Sequence, residues 1–262
     1  MIRRLNPLQV LELTWRKAFT GFENAEDLLL VVLPAYNAAA TLERAMRSVF
    51  AQTHQNWILV VIDDGSEDET YDVAVHTGAG RANVHVLRLD ENVGSFRAFN
   101  AGLRRFWSED WRWYIAQGAD DESHPTRFEK LLQVAAVSPD PDFVTSRYRR
   151  IDPAKGGEIV GVRYGEGTAM ISRRAFEALG FFVDTRFSGD SEYMFRIERW
   201  HELTAKERGL YAHRSILYTA YQTGSNLYFK YPHGGRDRLQ FVSRVRSRLR
   251  RCESVDDLYV AA

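Results

Sequence analysis

The sequence predicts an α/β fold built on a Rossmann-like, mostly parallel sheet flanked by helices, with a smaller, less regular region in its second half. Three observations carry this. Leu28–Pro34 and Trp57–Ile62 are continuous apolar runs, the mark of strands buried on both faces. Between such runs the apolar positions switch to helical spacing. Strand and helix alternate four times across the first half of the 262 residues, the rhythm of a doubly wound parallel sheet.

Residues 1–27 mix apolar and charged positions, and Pro7–Phe19 reads as a helix. After the first strand, Asn37 is placed to cap a helix whose apolar positions Leu42, Ala45, Met46, Val49 and Phe50 share one face. The second strand ends in Asp63-Asp64-Gly65-Ser66. Glu67–His76 is the next helix, Val84–Leu89 the third strand, Phe96–Trp107 the third helix and Trp111–Ala116 the fourth strand. Pro125 opens a helix that turns Phe128, Leu131, Leu132 and Ala135 to one side. Beyond it, Phe143–Arg150 and Glu158–Arg163 predict an antiparallel pair about a Pro153–Gly157 turn. Ser172–Leu179 is a short helix, and Ser188–Glu192 caps another that runs to Trp200.

With 45% hydrophobic and 27% charged residues the chain can bury one large core or two modest ones. Lys+Arg and Asp+Glu are equal at 35 each, so no net field points to nucleic acid. Cys252 is the single cysteine; it excludes an intrachain disulfide and a cysteine-based zinc site, and fits a reducing compartment. The longest apolar run, Leu28–Ala35, is far short of the ~20 residues that span a bilayer, and the N-terminus lacks the pattern of a signal peptide. These features predict a soluble, cytoplasmic protein.

In parallel sheets of this kind ligands bind at the carboxyl ends of the strands. Three such ends are polar: Pro34–Asn37, Asp63–Ser66 and Gly118–Asp121. Asp120 and Asp121 are adjacent carboxylates at a buried strand end, where each is costly to desolvate and each repels the other. A divalent cation removes that cost. Carboxylate oxygens suit Mg²⁺ or Mn²⁺, ions that bridge to substrate phosphates; the plain alternative is a solvated turn. Asp63-Asp64-Gly65-Ser66 reads either as a βα turn capping the next helix or as a place where a carboxylate accepts a base N–H. Tyr36 then stacks on that base or belongs to the core. A dinucleotide fingerprint fails, because its nearest approximation, Gly78-Ala-Gly80, precedes a strand instead of opening a helix.

Five separated segments share one resemblance: Leu33-Pro-Ala-Tyr-Asn37, Ala51-Gln-Thr53, Val60-Val-Ile-Asp-Asp-Gly-Ser66, Asn92-Val-Gly-Ser-Phe-Arg-Ala-Phe-Asn-Ala-Gly102 and Gly118-Ala-Asp-Asp121. In order and spacing they resemble GT-A fold glycosyltransferases of family 2, over roughly residues 28–200. The resemblance implies a nucleotide-sugar-binding set of Pro34, Tyr36, Asn37, Asp64, Arg97 and Asp120. In that set Asp64 accepts a base N–H, and Arg97 closes the pocket or neutralises the diphosphate. It also implies that Asp121, helped by Asp120, anchors a Mn²⁺ or Mg²⁺ ion. The fuller family motif has an acidic residue where this chain has Gly118, so the diphosphate has to complete the coordination and the ion should bind weakly without donor. Phe187–Arg196 resembles the family's late acidic motif, which implies Asp190 as the base that deprotonates an acceptor hydroxyl. The alternative there is a helix cap with Glu192 in the first turn. Glu192 and His213 are secondary candidates. His213 would be a metal or phosphate contact, and with Tyr218–Ser225 it falls where the family often has a segment covering the donor; a lone histidine is otherwise structural.

The implied activity is inverting transfer of a sugar from a nucleotide-diphospho-sugar to a hydroxyl of a glycan or lipid-linked acceptor, in surface polysaccharide synthesis. UDP-sugars are favoured because Asp64 suits the N3–H of uracil; thymine and guanine nucleotides stay open. Two rivals are a non-catalytic sugar-nucleotide-binding module of the same fold and a nucleotidyltransferase. The latter wants a Gly-rich, basic triphosphate loop where Pro34–Asn37 stands. The organisation is then a lead segment over 1–27, a glycosyltransferase domain over 28–235 (nucleotide-sugar half 28–125, acceptor half 126–235) and a basic tail over 236–262. Residues 236–251 hold seven Arg and one Asp, a net charge of +6, with Leu239, Val242, Val245 and Leu249 at helical spacing. This helix either packs on the domain with its arginines in water or docks on an anionic membrane surface or a polyanionic acceptor; the membrane reading would place the protein at the inner face of the cell membrane.

Overall fold

The computed structural model describes residues 9–10, 27–205, 209–222 and 235–260. Strands β2 (Leu29–Ala35) and β3 (Trp57–Asp63) are the predicted apolar runs. Because successive side chains of a strand point to opposite faces, each strand feeds two cores. Leu30, Val32, Val60 and Ile62 meet the helices of one side, and Leu29, Val31, Leu33, Leu59 and Val61 those of the other. Helix α1 (Ala39–Phe50) covers the second face with Leu42, Ala45, Met46 and Val49. Then come α2 (Thr70–Gly78), β4 (Val84–Arg88), α3 (Ser95–Arg105), β5 (Trp113–Ala116), the two-residue β6 (Glu122–Ser123) and α4 (Arg127–Val137).

The second half supplies β7 (Phe143–Asp152) and β8 (Glu158–Tyr164), which form the predicted antiparallel pair. Next are β9 (Met170–Ser172), α5 (Arg173–Leu179), α6 (Gly189–Leu203), β10 (Leu210–Tyr221) and α7 (Arg236–Leu249). With β1 (Gln9–Val10) the sheet order is β1-β10-β7-β9-β5-β2-β3-β4. Strands β2 to β5 are parallel, as expected. The short β9 is wedged antiparallel between β5 and β7. The sheet is therefore mixed, and β9 joins the regular half to the irregular one.

Three local expectations are corrected. Gln9 and Val10, expected inside a helix over Pro7–Phe19, form a strand paired with Tyr211 and Ala212; the rest of that segment lies outside the described residues. Asn37 does not cap α1. It adopts a left-handed φ of 48°, and its Oδ1 accepts the Glu67 N–H at 3.0 Å, tying the β2 turn to the β3 turn. Tyr218–Tyr221 belong to β10, not to a covering loop; residues 223–225 lie outside the described residues.

Candidate active site

The carboxyl ends of β2, β3 and β5 open on the same edge of the sheet, and hydrogen bonds sew them together. The Asn37 N–H donates to Ser66 Oγ at 3.0 Å. Gly65, at φ 69°, lets the chain of residues 91–92 pass so near that a Cβ there would meet the Glu91 carbonyl carbon at 2.5 Å. Asp64, only 3% exposed, accepts the N–H groups of Val93 (2.8 Å) and Gly94 (2.9 Å) and the Asn92 amide (3.1 Å). Burial raises its pKa, against the pull of those backbone donors. Sequence reasoning aimed this carboxylate at a base. Its acceptor capacity goes mostly to the 92–94 loop, which it fixes beside the mouth of the site. Tyr36 stands 46% exposed at that mouth, with Pro34 half-buried behind it. Arg97 points outward and is held by Asp184 at the surface. The guanidinium at this corner is Arg186, bonded to Asn92 Oδ1 at 3.0 Å, a residue that no motif marks.

The loop after β5 is closed from within. Gln117, fully buried, donates to the carbonyls of Gly118 and Asp121, both at 3.1 Å. The Gly118 N–H donates to the Tyr218 hydroxyl at 2.9 Å. Asp121 Oδ1 accepts the Tyr221 N–H at 3.0 Å, and Tyr218 also bonds this carboxyl. Asp120 is half-buried, and its backbone carbonyl accepts from Arg44 at 2.9 Å. Arg44 in turn pairs with Glu122 at 3.0 Å and stacks on the Tyr221 ring at 4.1 Å.

A Cβ at position 118 would lie 2.8 Å from Asp121 Oδ2 and 3.1 Å from the Tyr218 hydroxyl, so a side chain there would require the Asp121 carboxyl to shift. Behind the loop sits Arg127, completely buried. It donates to the carbonyls of Ala116 (3.1 Å) and Thr168 (3.0 Å) and to Ser123 Oγ (2.7 Å), and stacks on Tyr218 at 4.6 Å.

Among the described residues no group of three or more His, Cys, Asp or Glu side chains could hold a metal ion by itself. Asp120 and Asp121 nevertheless fit a shared one. Burial, then the charge of Asp120, push the Asp121 carboxyl up to about 8. Two adjacent hard oxygen donors at the carboxyl end of a parallel strand match the chemistry of Mg²⁺ or Mn²⁺.

Helix α6 carries the remaining candidate, Asp190. Asp190 lies in its first turn, half-buried, with Oδ1 accepting the Ser191 N–H at 2.9 Å. Burial raises its pKa. The Tyr114 hydroxyl, buried in β5 within electrostatic reach of Asp190, finds no hydrogen-bond partner among the described residues. Asp190 and the loop after β5 share an anchor, since Arg127 bonds both Ala116 and the Thr168 turn that packs on α6.

Two secondary candidates are not brought to this place. Glu192 is 1% exposed and faces inward, pairing with Arg196 at 2.6 Å and Arg248 at 2.8 Å. That makes it the link between α6 and α7. His213 lies midway along β10, opposite Ser146, whereas Tyr221 at the strand's end reaches Asp121. Burial, then the charge of Lys130, push it down to about 4, and its Nδ1 accepts the Ser215 N–H at 3.0 Å.

Helix α7 packs on the domain through Val245 and Leu249. Its arginines are not all in water: Arg248 holds Glu192, and Arg246 stacks on Phe195 at 4.4 Å. No helix among the described residues is long and apolar enough to cross a membrane.

Known proteins share this frame. Residues 30–194 match the model of "Glycosyl transferase family 2". TuaG of Bacillus subtilis, provisionally described as a teichuronic acid biosynthesis glycosyltransferase, is 32% identical over 110 residues, 42% of each chain. The uncharacterized glycosyltransferase YibD of Escherichia coli is 31% identical over 113 residues, 43% of this chain and 31% of that one. The chain thus spans less than half the length of these curated relatives. Among solved structures, S. aureus TarS 1–349 in complex with UDP-GlcNAc superposes with a TM-score of 0.63 at 14% identity, over 84% of this chain and 65% of that one. Mannosyltransferase PcManGT from Pyrobaculum calidifontis, in complex with GDP-Man and Mn²⁺, gives 0.56 at 16% identity, over 82% and 60%. The likeness to these two structures is one of fold. With the family model covering well over half of the sequence, the chain belongs to glycosyl transferase family 2 and has its GT-A fold.

Proposed function

We propose that this chain transfers a sugar, with inversion, from a nucleotide-diphospho-sugar to a hydroxyl of a glycan or lipid-linked acceptor. The observation that carries the reading is the Arg127 anchor, which binds the Asp120–Asp121 loop to the turn beside Asp190. Donor-side anions and an acceptor-side base are thereby held in one frame. In the reaction the acceptor oxygen attacks the anomeric carbon while Asp190 takes its proton. The bond to the nucleoside diphosphate breaks, and the electron pair leaves with the diphosphate. A Mg²⁺ or Mn²⁺ ion bound by Asp120, Asp121 and the diphosphate would supply Lewis-acid stabilisation of that leaving group. Tyr36 and Pro34 would flank the base, Asp64 would act by fixing the 92–94 loop, and Arg186 would replace Arg97 as the nearby cation.

UDP-sugars are the favoured donors, supported by the TarS complexes with UDP and UDP-GlcNAc. The GDP-Man complex of PcManGT keeps GDP-sugars in the test. The description of TuaG supports a surface polysaccharide as the product's destination. We place the reaction in the cytoplasm, where nucleotide-sugars are made. The inward use of Arg246 and Arg248 weakens the case for docking on lipid.

A panel of UDP-, dTDP- and GDP-sugars, with and without Mn²⁺, tests the reading by release of nucleoside diphosphate. Asp190→Asn should keep donor binding and lose turnover by about 10²–10⁴-fold. Unchanged turnover in that variant would overturn Asp190 as the base, whereas a wild type that binds a donor but releases no nucleoside diphosphate would point to a non-catalytic binding module.

A further inference from the structure

The turn Glu166–Thr168 lies against Asp190 and carries a second carboxylate within its electrostatic reach. It is held firmly: Thr145 Oγ1 donates to the Gly165 carbonyl at 2.6 Å, Thr168 Oγ1 to the same atom at 2.9 Å, and Arg127 to the Thr168 carbonyl. Gly167 lets its backbone lie against Asp190, for a Cβ there would be 3.1 Å from Asp190 Oδ2. Other elements complete the surroundings. Arg238 and Arg246 of α7 act on Glu166, Arg238 also acts on Asp190, and the Tyr114 hydroxyl of β5 feels the Asp190 charge. Burial, then the charge of Asp190, push Glu166 up to about 7. Two half-buried carboxylates so placed do not both ionise cheaply, and they titrate as a pair. Asp190 is the member better suited to be the anion, since it lies at the α6 N-terminus and accepts the Ser191 N–H.

We propose that Glu166 is a positioning residue for the transfer reaction: it faces Asp190 across the Gly167 backbone, holds the proton the pair retains, and leaves Asp190 as the anion that meets the acceptor hydroxyl. Helix α7, beyond the residues matched by the family model, belongs to this corner through Arg238 and Arg246. The proposal rests on Asp190 as the base.

The test is a ¹³C-carboxyl NMR titration of the full chain labelled at glutamate, with the Glu166 resonance assigned by its loss in Glu166→Gln. Wild type should titrate with a midpoint at about 7. In Asp190→Asn the midpoint should fall by about one unit or more, a tenfold loss of proton affinity. The pH profile of kcat/KM should show a step near the same midpoint that Glu166→Gln abolishes and Glu166→Asp keeps. A wild-type midpoint in the ordinary range of about 4.3, or one unmoved in Asp190→Asn, overturns the pair. The two readings fail separately. Full turnover in Asp190→Asn with a shifted Glu166 sinks the base, whereas lost turnover with an unshifted Glu166 sinks the pair alone.

Discussion

Gly118 offers a sharp test of why this site has so few acidic ligands. Restoring the acid by Gly118→Asp looks like a repair, but the structure opposes it. The new Cβ would stand 2.8 Å from Asp121 Oδ2 and 3.1 Å from the Tyr218 hydroxyl. Neither neighbour gives way easily, because Asp121 is held by the Tyr221 N–H and the Tyr218 hydroxyl by the Gly118 N–H. Overpacking of this kind costs about 1–3 kcal/mol. In a chain of this size each kcal/mol lowers Tm by about 2–4 °C. Gly118→Ala isolates the steric part, and differential scanning calorimetry without metal should show that loss. Gly118→Asp adds a third carboxylate to a corner that already holds two, so its Tm should be no higher than that of Gly118→Ala. Titration calorimetry should detect no tight Mn²⁺ binding to either form without donor. A Gly118→Ala protein as stable as wild type would refute the packing argument. A stable Gly118→Asp protein that binds Mn²⁺ tightly alone would refute the claim that the site excludes a third acid.

Three further outcomes are expected. Arg127→Met removes a guanidinium that satisfies two carbonyls and the Ser123 hydroxyl, and should cost about 1–3 kcal/mol for each acceptor left buried and unpaired, read in urea unfolding. Arg127→Lys should recover part of this, as an ammonium cannot reproduce the fork; equal midpoints for all three proteins would contradict the anchor. Glu192→Gln should destabilise by about 3–5 kcal/mol because it strands the buried Arg196, while Arg248→Gln, removing a half-exposed partner, should cost about 1 kcal/mol or less. The reverse ranking in denaturant midpoints would show that α7, not the buried pair, holds α6. His213 is lowered from 6.5 to about 4, so between those values the unfolded chain binds a proton that the native chain refuses. Stability therefore rises with pH through that window and falls as acid is added. His213→Gln should flatten the curve of Tm against pH there, and an unchanged slope would rule the histidine out.

Strands β2 and β3 were legible because each lies between covered faces, and continuous apolar runs leave few other readings. The Asp120–Asp121 pair was legible for the same reason, standing directly past such a run. Strand β9 was not, since three residues are too short to express a period. Strand β10 was hidden by the exposed Arg214, Ser215 and Ile216, where its pairing with β7 slips register. Side-chain direction was the larger loss. That Asp64 serves its neighbouring loop, or that Glu192 faces Arg196 and Arg248, depends on partners distant in the chain. Glu166 carried no signal, being one acid in a glycine-flanked turn, and only the approach of α6 gives it meaning.

Helix α7 also sets an order of assembly. Its buried side chains Val245 and Leu249, together with Cys252 and Leu258, are synthesised well after β2 to β5. Until they dock, Asp190 and Glu166 have neither Arg238 nor Arg246 near them, and Glu192 has only Arg196. A growing chain therefore lays down its parallel strands while the Asp190 corner is still electrostatically unbalanced.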